Sequence, residues 1–362
     1  MAHPPKASAD RSHWPSSKRR LTRFSRAPMK VPGDCPLCEF LRKPVPVTLE
    51  HGYNLRYDCK PDQIAVKDSI ARLPDPSLQP SYLSLAGKEQ PWSSRRIRIA
   101  QDLLRECVAL AGFQEALVRQ VNDMQELLGD DWAWVGQGRD DGASRGEFNS
   151  IFYKKSVFKL IDSDTFWLSP TPFRCSVYPG AGCIRICTTA RLLSRTSSQR
   201  LTLINTHLDH LSDDQRKYGA SLLLVRGRFE AATSNGPVIL TGDFNSSPTG
   251  DDSGAYGVIT GKVPPMQVAK EFTDKFNPGP NELPDFKFLD TRVETPKLGV
   301  SGNFATFTGW SPTRTAEWGR IDFAFGGNNG RWKSTAYKVG AGMSDDGMMH
   351  SDHRPVFVDL TV

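Results

Sequence analysis

From residue 45 onward, short apolar runs alternate with turn residues, and the spacing of those runs predicts the elements. Residues 45–48 and 53–57 read as strand pieces interrupted by His51-Gly52. Residues 58–94, punctuated by Pro61, Pro74, Pro76, Pro80 and Pro91, read mainly as a long loop. Ile97, Ala100, Leu104, Cys107, Val108 and Ala111 fall at helical spacing and predict an amphipathic helix over 95–110. Leu117, Val121, Met124 and Leu128 repeat the pattern and stop at Gly129, a residue suited to the position after a helix. Ser212-Asp213-Asp214-Gln215 has the form of a capping box, and the helix it opens would turn Tyr218, Leu222, Val225 and Phe229 to the core. The remaining apolar runs, 150–153, 184–192, 201–206, 238–241, 321–325 and 355–362, are predicted as strands. Residues 262–300, rich in proline and charge, are predicted as a loop over one edge. Strands dominate, helices lie between them, and no repeat or heptad recurs, which indicates a strand-rich layered α/β fold.

Composition changes this picture little, but charge divides it. The 362 residues are 38% hydrophobic and 24% charged, enough to build a core. No run approaches the ~20 apolar residues of a membrane helix. Of 46 Lys and Arg, ten fall within residues 1–45 against three acids (Asp10, Asp34, Glu39), so the remainder holds 36 basic and 37 acidic residues. The formal charge of +6 therefore belongs to the first 45 residues, which read as a basic disordered leader. Lys18-Arg19-Arg20 fits a nuclear signal and the Arg- and Ser-rich composition a mitochondrial presequence, but a solvated tail serving neither is the favoured reading. A near-neutral body carries no broad electrostatic footprint for duplex DNA. Seven cysteines, an odd number without a secretory signal, point to reduced thiols, and Cys35-Pro36-Leu37-Cys38 is half of a zinc knuckle with no second half. The expected location is intracellular, cytoplasmic or nuclear, with a mitochondrial one the alternative that the basic leader offers.

Polar residues interrupt the strand runs or end them, where catalytic groups are held by a rigid sheet beside an open loop. Asn54, Gln114-Glu115, Asn205-Thr206-His207, Asp243-Phe244-Asn245, Asp322 and Asp352-His353 are the set. After the apolar run Val238-Ile239-Leu240, alternation places Asp243 and Asn245 on one side and Phe244 in the core. A carboxylate beside an amide suits a general base next to a phosphoryl-binding group, and it equally suits a turn held by Asp and Asn hydrogen bonds. Asp322, between Ile321 and Phe323, needs a partner to be buried; His353 is one candidate and Arg320 another. Ser351-Asp352-His353 is not a catalytic triad, because neighbouring side chains on a strand diverge. Gly-x-Ser-x-Gly is absent, which disfavours an elbow-type serine hydrolase. Oxygen-rich ligands without cysteine suit Mg²⁺ (or Mn²⁺). Trp167, Trp310 and Trp318 are read as core aromatics ahead of base-stacking platforms, and His210 as a structural residue.

In order along the chain, Tyr53-Asn54-Leu55-Arg56-Tyr57-Asp58, Gly112-Phe113-Gln114-Glu115, Asn205-Thr206-His207-Leu208-Asp209-His210, Gly242-Asp243-Phe244-Asn245, Arg320-Ile321-Asp322 and Ser351-Asp352-His353-Arg354-Pro355-Val356 resemble the endonuclease/exonuclease/phosphatase superfamily over about residues 46–362. Three further blocks, around Gly138-Arg139-Asp140, Ser150-Ile151-Phe152-Tyr153 and Phe166-Trp167-Leu168, resemble a poorly characterised bacterial and fungal branch of it. The resemblance implies an α/β fold, a four-layer α/β/β/α sandwich of two mixed, mostly antiparallel sheets with helices outside. It also implies a metal bound by Glu115, with Asn54 and Asp352 on the metal side; Asp243 as base or orienter of the attacking water; Asn245 on the phosphoryl group. His353 would contact the scissile phosphate, Asp322 would fix its charge, and His207 would face the phosphate from a second side. Asn54, His207, Asn245 and His353 would together bind substrate.

The expected activity is divalent-metal-dependent hydrolysis of a phosphate ester: a nucleotide, a nucleic acid or a small phosphodiester. No stable protein partner and no integral membrane contact are inferred. Two other readings compete, a catalytically inactive scaffold that keeps the fold and a sphingomyelinase-like lipid phosphodiesterase. The second needs an exposed apolar hairpin that the sequence does not display.

Overall fold

A computed structural model describes residues 47–48 and 89–362 apart from 346. The leader 1–45, the strand piece 53–57 with Asn54, most of the 58–94 loop and the Cys35/Cys38 pair lie outside the described residues.

Two runs of strands are built from the predicted apolar segments. Strands β7 (Phe158–Trp167), β8 (Ile186–Ser194), β9 (Arg200–His207), β10 (Val238–Asp243), β11 (Phe288–Asp290) and β13 (Asp322–Gly327) form a six-stranded sheet in the order β11-β13-β10-β9-β8-β7. Only the β9–β10 pair in it is parallel, and the helix α3 (Asp213–Ser234) makes that crossover. Facing it lie β2 (Leu110–Gly112), β6 (Ile151–Lys154) and β4 (Trp132–Val135) in one set. A second set holds β1 (Val47–Thr48), β15 (Val356–Thr361), β14 (Lys333–Val339) and β12 (Val300–Gly302). A short pair, β3 (Ala116–Leu117) with β5 (Glu147–Phe148), borders the first set.

Period-two alternation sorts the side chains into three apolar layers. Leu203, Ile239 and Ala324 of the six-stranded sheet meet Leu110, Ile151, Tyr153, Tyr337, Val358 and Leu360 between the sheets. Their neighbours Ile204, Leu240, Phe323 and Phe325 point outward, to Leu222 and Leu223 of α3 and to α4 (Gly254–Ile259). Phe152 and Phe357 turn away from the inter-sheet layer and pack on α1 (Trp92–Arg105) and α2 (Val118–Leu128). Helix, sheet, sheet, helix is therefore the order of layers, as the resemblance implied.

Caps explain where elements stop, and one of them corrects a prediction. Gly129 follows α2 at φ 88°, and the Ser212 hydroxyl accepts the Gln215 N–H (3.1 Å) at the start of α3. The Gln215 side chain does not close the box; its Oε1 accepts from the Asp209 N–H and its amide reaches the Leu168 carbonyl. The helix predicted over 95–110 ends at Arg105. Cys107 takes φ 51°, and the apolar residues that continued the helical spacing, Val108 and Ala111, belong to the turn into β2 and to β2 itself. Residues 262–300 carry more structure than a loop: α5 (Lys270–Lys275), β11, α6 (Thr291–Glu294) and the start of β12. Cys107 is disulfide-bonded, against the expectation of reduced thiols, while Cys175, Cys183 and Cys187 are free.

Candidate active site

Strand register assembles the centre of the site. Parallel pairing sets Asp243 opposite His207, and antiparallel pairing sets Asp243 opposite Asp322, so residues 36 and 79 positions from Asp243 stand in one row across β9, β10 and β13. His353 completes it from the segment before β15, bridging to Phe307, whose ring centroid lies 5.0 Å from the imidazole. The loop that includes Thr306 and Thr308 fastens both ends. Thr306 Oγ1 accepts from the Ile321 and Asp322 N–H groups, and Thr308 donates from N and Oγ1 to the Asp352 carbonyl.

Asp322 chooses His353. Its two oxygens lie 3.0 and 2.9 Å from His353 Nδ1, whereas Arg320 is taken by Asp290 in a buried bidentate pair at 2.8 and 2.6 Å. Burial pulls the His353 pKa down, but the charge and hydrogen bond of Asp322, followed by Asp243 and Asp352, outweigh it and raise it to about 10. The imidazole is therefore a cation at neutral pH, with Nε2 aimed at Asp243 Oδ2, 3.7 Å away. Asp243 itself is buried, and desolvation, then the Asp322 charge, push its pKa up to about 7 against the pull of His353 and the Asn245 N–H.

On the other side of Asp243 stands His207, buried, with Nε2 3.4 Å from Asp243 Oδ2. Burial and then the cations Arg185, His353 and Arg139 lower its pKa well below the ordinary histidine value. Asn245, in the left-handed region at φ 46°, donates its amide to His207 Nε2 (3.0 Å) and to the Leu208 carbonyl (3.1 Å). With Nε2 accepting, the ring hydrogen sits on Nδ1, a buried atom with no hydrogen-bond partner among the described residues. The turn reading of Asp243-Phe244-Asn245 also holds, since the Asn245 N–H donates to Asp243 Oδ1 (2.8 Å) and Phe244 is fully buried. A turn bond and a site role coexist in the same three residues.

Glu115 enters from the end of β2. It adopts φ 61°, and its Oε1 lies 3.8 Å from His207 Nδ1. Its approach depends on Asn205, which accepts from Gln114 Nε2 (2.7 Å) and Thr241 Oγ1 (3.1 Å) and donates to the Phe113 and Ser150 carbonyls. Gly112 makes that hub possible, because a Cβ there would lie 2.5 Å from Asn205 Oδ1. Desolvation, then the charges of Glu147 and Asp352, raise the Glu115 pKa; with 60% of its side chain exposed, that desolvation is partial. Asp352 presents its carboxylate to the Ser351 hydroxyl (3.2 Å). Asn54 lies outside the described residues.

Glu115, Asp243, Asp322 and Asp352 face one imidazolium, a surplus of negative charge that suits a bound cation. Ligand atoms of Asp243, Asp322 and His353 lie within 4.8 Å of one another, but a protonated, Asp322-bonded imidazole is no ligand. The exposed Glu115 carboxylate, with Asp352 close enough to raise its pKa, fits a hard cation better. Cys183, Asp209 and His210 form a second close group. There Asp209 is already spent on the N–H groups of Gly182, Leu211 and Ser212, and Arg185 lies 3.2 Å from His210 Nδ1, so this group clamps a loop, as expected for His210. Arg185 and Arg139, missed from the sequence, supply positive potential to the His207 side. The signal that could have found the first of them is an arginine between apolar residues in the Ile184-Arg185-Ile186 run.

A cleft of about 460 Å³ is lined by Glu115, Asp322 and His353 and also by Trp92, Asp102 and Trp310. Trp167 is buried with Nε1 bonded to the Arg139 carbonyl, as a core aromatic. Arg354 stacks over Trp318 (4.5 Å), and Arg95 over Trp310 (4.9 Å).

Known proteins share this fold. A model described as the Endonuclease/Exonuclease/phosphatase family matches residues 53–353. Among solved structures, the chain is similar to an endonuclease/exonuclease/phosphatase from Bacteroides vulgatus, at 27% identity and TM-score 0.62, covering 75% of this chain and 91% of that one. A mannosyl-6-phosphatase from Bacteroides thetaiotaomicron VPI-5482 gives 27% identity and TM-score 0.61, covering 75% and 92%. A TDP2 from D. rerio, complexed with a single-strand DNA product, shares the fold at 15% identity and TM-score 0.52, covering 77% and 96%. No curated protein matches in sequence.

Proposed function

This chain belongs to the endonuclease/exonuclease/phosphatase family, a family of phosphoester hydrolases, and we propose that it cleaves its phosphate ester by in-line attack of water, with a divalent cation, Mg²⁺ or Mn²⁺, held by Glu115 and Asp352. When bound, the cation supplies charge for the non-bridging phosphoryl oxygens. The observation that carries the reading is the row His207–Asp243–Asp322 with His353 closing it. Asp243, with a pKa near neutrality, accepts the proton of the attacking water. The His353 imidazolium, kept charged by Asp322, neutralises the phosphoryl oxygens as charge grows on them. His207, neutral and with its Nδ1 hydrogen free, donates toward the substrate, and Asn245 fixes its tautomer and offers the phosphoryl group an amide when that bond is exchanged. Asn54 is assigned to the metal and phosphate side by the family pattern.

Bis-p-nitrophenyl phosphate tests the chemistry. Turnover should require Mg²⁺ or Mn²⁺, stop with chelator, return on adding the ion back, and be lost in Asp243→Ala. No turnover with either ion would favour the inactive scaffold. A panel of mannose 6-phosphate, mononucleotides, single-stranded DNA, RNA, inositol phosphates and sphingomyelin, run with wild type and His353→Ala, assigns the ester.

A further inference from the structure

Asp102 and His350, which also line the cleft, belong to a second hydrogen-bonded chain whose residues the phosphate chemistry leaves unused. Asp102, in the last turn of α1, places Oδ2 2.6 Å from His350 Nδ1, and His350 Nε2 lies 2.8 Å from Ser344 Oγ. A carboxylate on Nδ1 holds the ring hydrogen there and leaves the Nε2 lone pair for the serine hydroxyl, which donates. Nucleophile, base and orienter are recognised by this convergence and not by sequence order. It is the convergence that Ser351-Asp352-His353 lacks, since Ser351 bonds its neighbour Asp352 and His353 goes to Asp322.

Three observations give the chain a use beyond tying a hairpin to a helix. His350 is 6% exposed while Ser344 is half-buried, so the base is shielded more than the serine. The backbone around the serine is fixed: Met343 bridges Met349, the Ser344 N–H donates to the Met348 carbonyl, and the Gly347 N–H donates to the Ser344 carbonyl. The N–H of Asp345, the residue after the serine, makes no hydrogen bond among the described residues, which is where elbow-type hydrolases find an oxyanion donor. The base is held as well, since Arg95, packed over Trp92 and Trp310, donates to the His350 carbonyl (3.2 Å).

Charge selects the substrate. Asp102 ends the chain beyond His350 and Asp345 follows the serine in sequence, so the local charge is negative, which disfavours an anionic phosphate or carboxylate and leaves a neutral carbonyl as the substrate. We infer that Ser344, with His350 and Asp102, forms a second nucleophilic site that acts on small neutral carboxylic esters. Ser344 Oγ bonds the carbonyl carbon while its proton passes to His350 Nε2; the carbon–oxygen bond to the alcohol breaks, and the alcohol leaves with that proton. Water then attacks the acyl-serine, its proton going through His350 back to Ser344 Oγ, and the acid is released. No oxidant, metal or cofactor is consumed.

A fluorophosphonate probe and p-nitrophenyl acetate test this on the full chain, with adducts located by peptide mass mapping. One adduct on the Ser344 peptide is expected, absent in Ser344→Ala and formed up to roughly 10⁴-fold more slowly in Asp102→Asn. Ester turnover should fall to the Ser344→Ala background and be indifferent to chelator, which separates this site from the metal-dependent one. Unchanged thermal melting of Ser344→Ala shows that it folds. No adduct at Ser344, or equal ester turnover in wild type and Ser344→Ala, would overturn the inference and leave the chain as a hairpin tether.

Discussion

Replacing Asp322 with Asn is the sharpest test of how the site holds its charge. The asparagine oxygen can still accept from His353 Nδ1, so the ring keeps its orientation and loses mainly the charge beside it. In the wild type, activity should rise with pH as Asp243 ionises near 7 and fall as His353 loses its proton near 10. Without the Asp322 charge, the His353 pKa drops toward the ordinary 6.5, and the Asp243 pKa drops too, because Asp322 is the largest charge holding it up. Both limbs therefore move to lower pH. At pH 8, an imidazole of pKa 6.5 is only about 3% protonated, so kcat/KM should fall about 30-fold there, against about twofold or less at pH 6. Asp243 and Asp352 still face His353 and hold its pKa up, while its burial pulls the other way. The assay is the pH profile of kcat/KM for bis-p-nitrophenyl phosphate from pH 5.5 to 10 at fixed Mg²⁺. A loss by one constant factor across that range would refute the reasoning, since it would make Asp322 an orienting group only.

Asp243→Asn should abolish turnover yet raise the melting temperature at pH 8. A native pKa of about 7 against 3.8 unfolded means stability is lost as pH rises from 3.8 to 7, and the asparagine removes that loss, leaving little difference at pH 4. Gly112→Ala would press a methyl group against Asn205 Oδ1 and Thr241 Oγ1 (2.5 and 2.7 Å), costing about 1–3 kcal/mol in urea unfolding and displacing Glu115, so activity should fall further than stability does. Arg320→Met leaves Asp290 buried without its bidentate partner and should cost about 3–5 kcal/mol, much of it regained in the Arg320→Met/Asp290→Leu double variant, both read by denaturant melts.

What the sequence made legible were features whose cause is local. Short apolar runs at 201–206 and 238–241 predicted β9 and β10, and Gly129 and Ser212 marked helix ends because their backbone and side-chain chemistry act within one turn. The choice of His353 over Arg320 as the partner of Asp322 was open at that level. It is settled by Asp290, 32 residues from Asp322 in the chain and brought beside Arg320 by the β11–β13 pairing. Helix and strand are confused over 95–110 for a related reason. Val108 and Ala111 are as buried as the residues of α1, so their hydrophobicity continues the periodicity while their backbone has already left it.

The site follows the same division between what one segment specifies and what pairing specifies. Each of His207, Asp243 and Asp322 ends or begins a strand for reasons its own segment displays. Their meeting depends on register, and a slip of one residue would turn Asp243 from the row to the opposite face. Gly112 and Asn205 then pack β2 against β9 and β10 through a contact that admits no Cβ, which places Glu115 beside the row. Asp102, Ser344 and His350 show the limit of reading segments singly. Positions 248 residues apart share one hydrogen bond, and neither a motif nor a period in the sequence joins them.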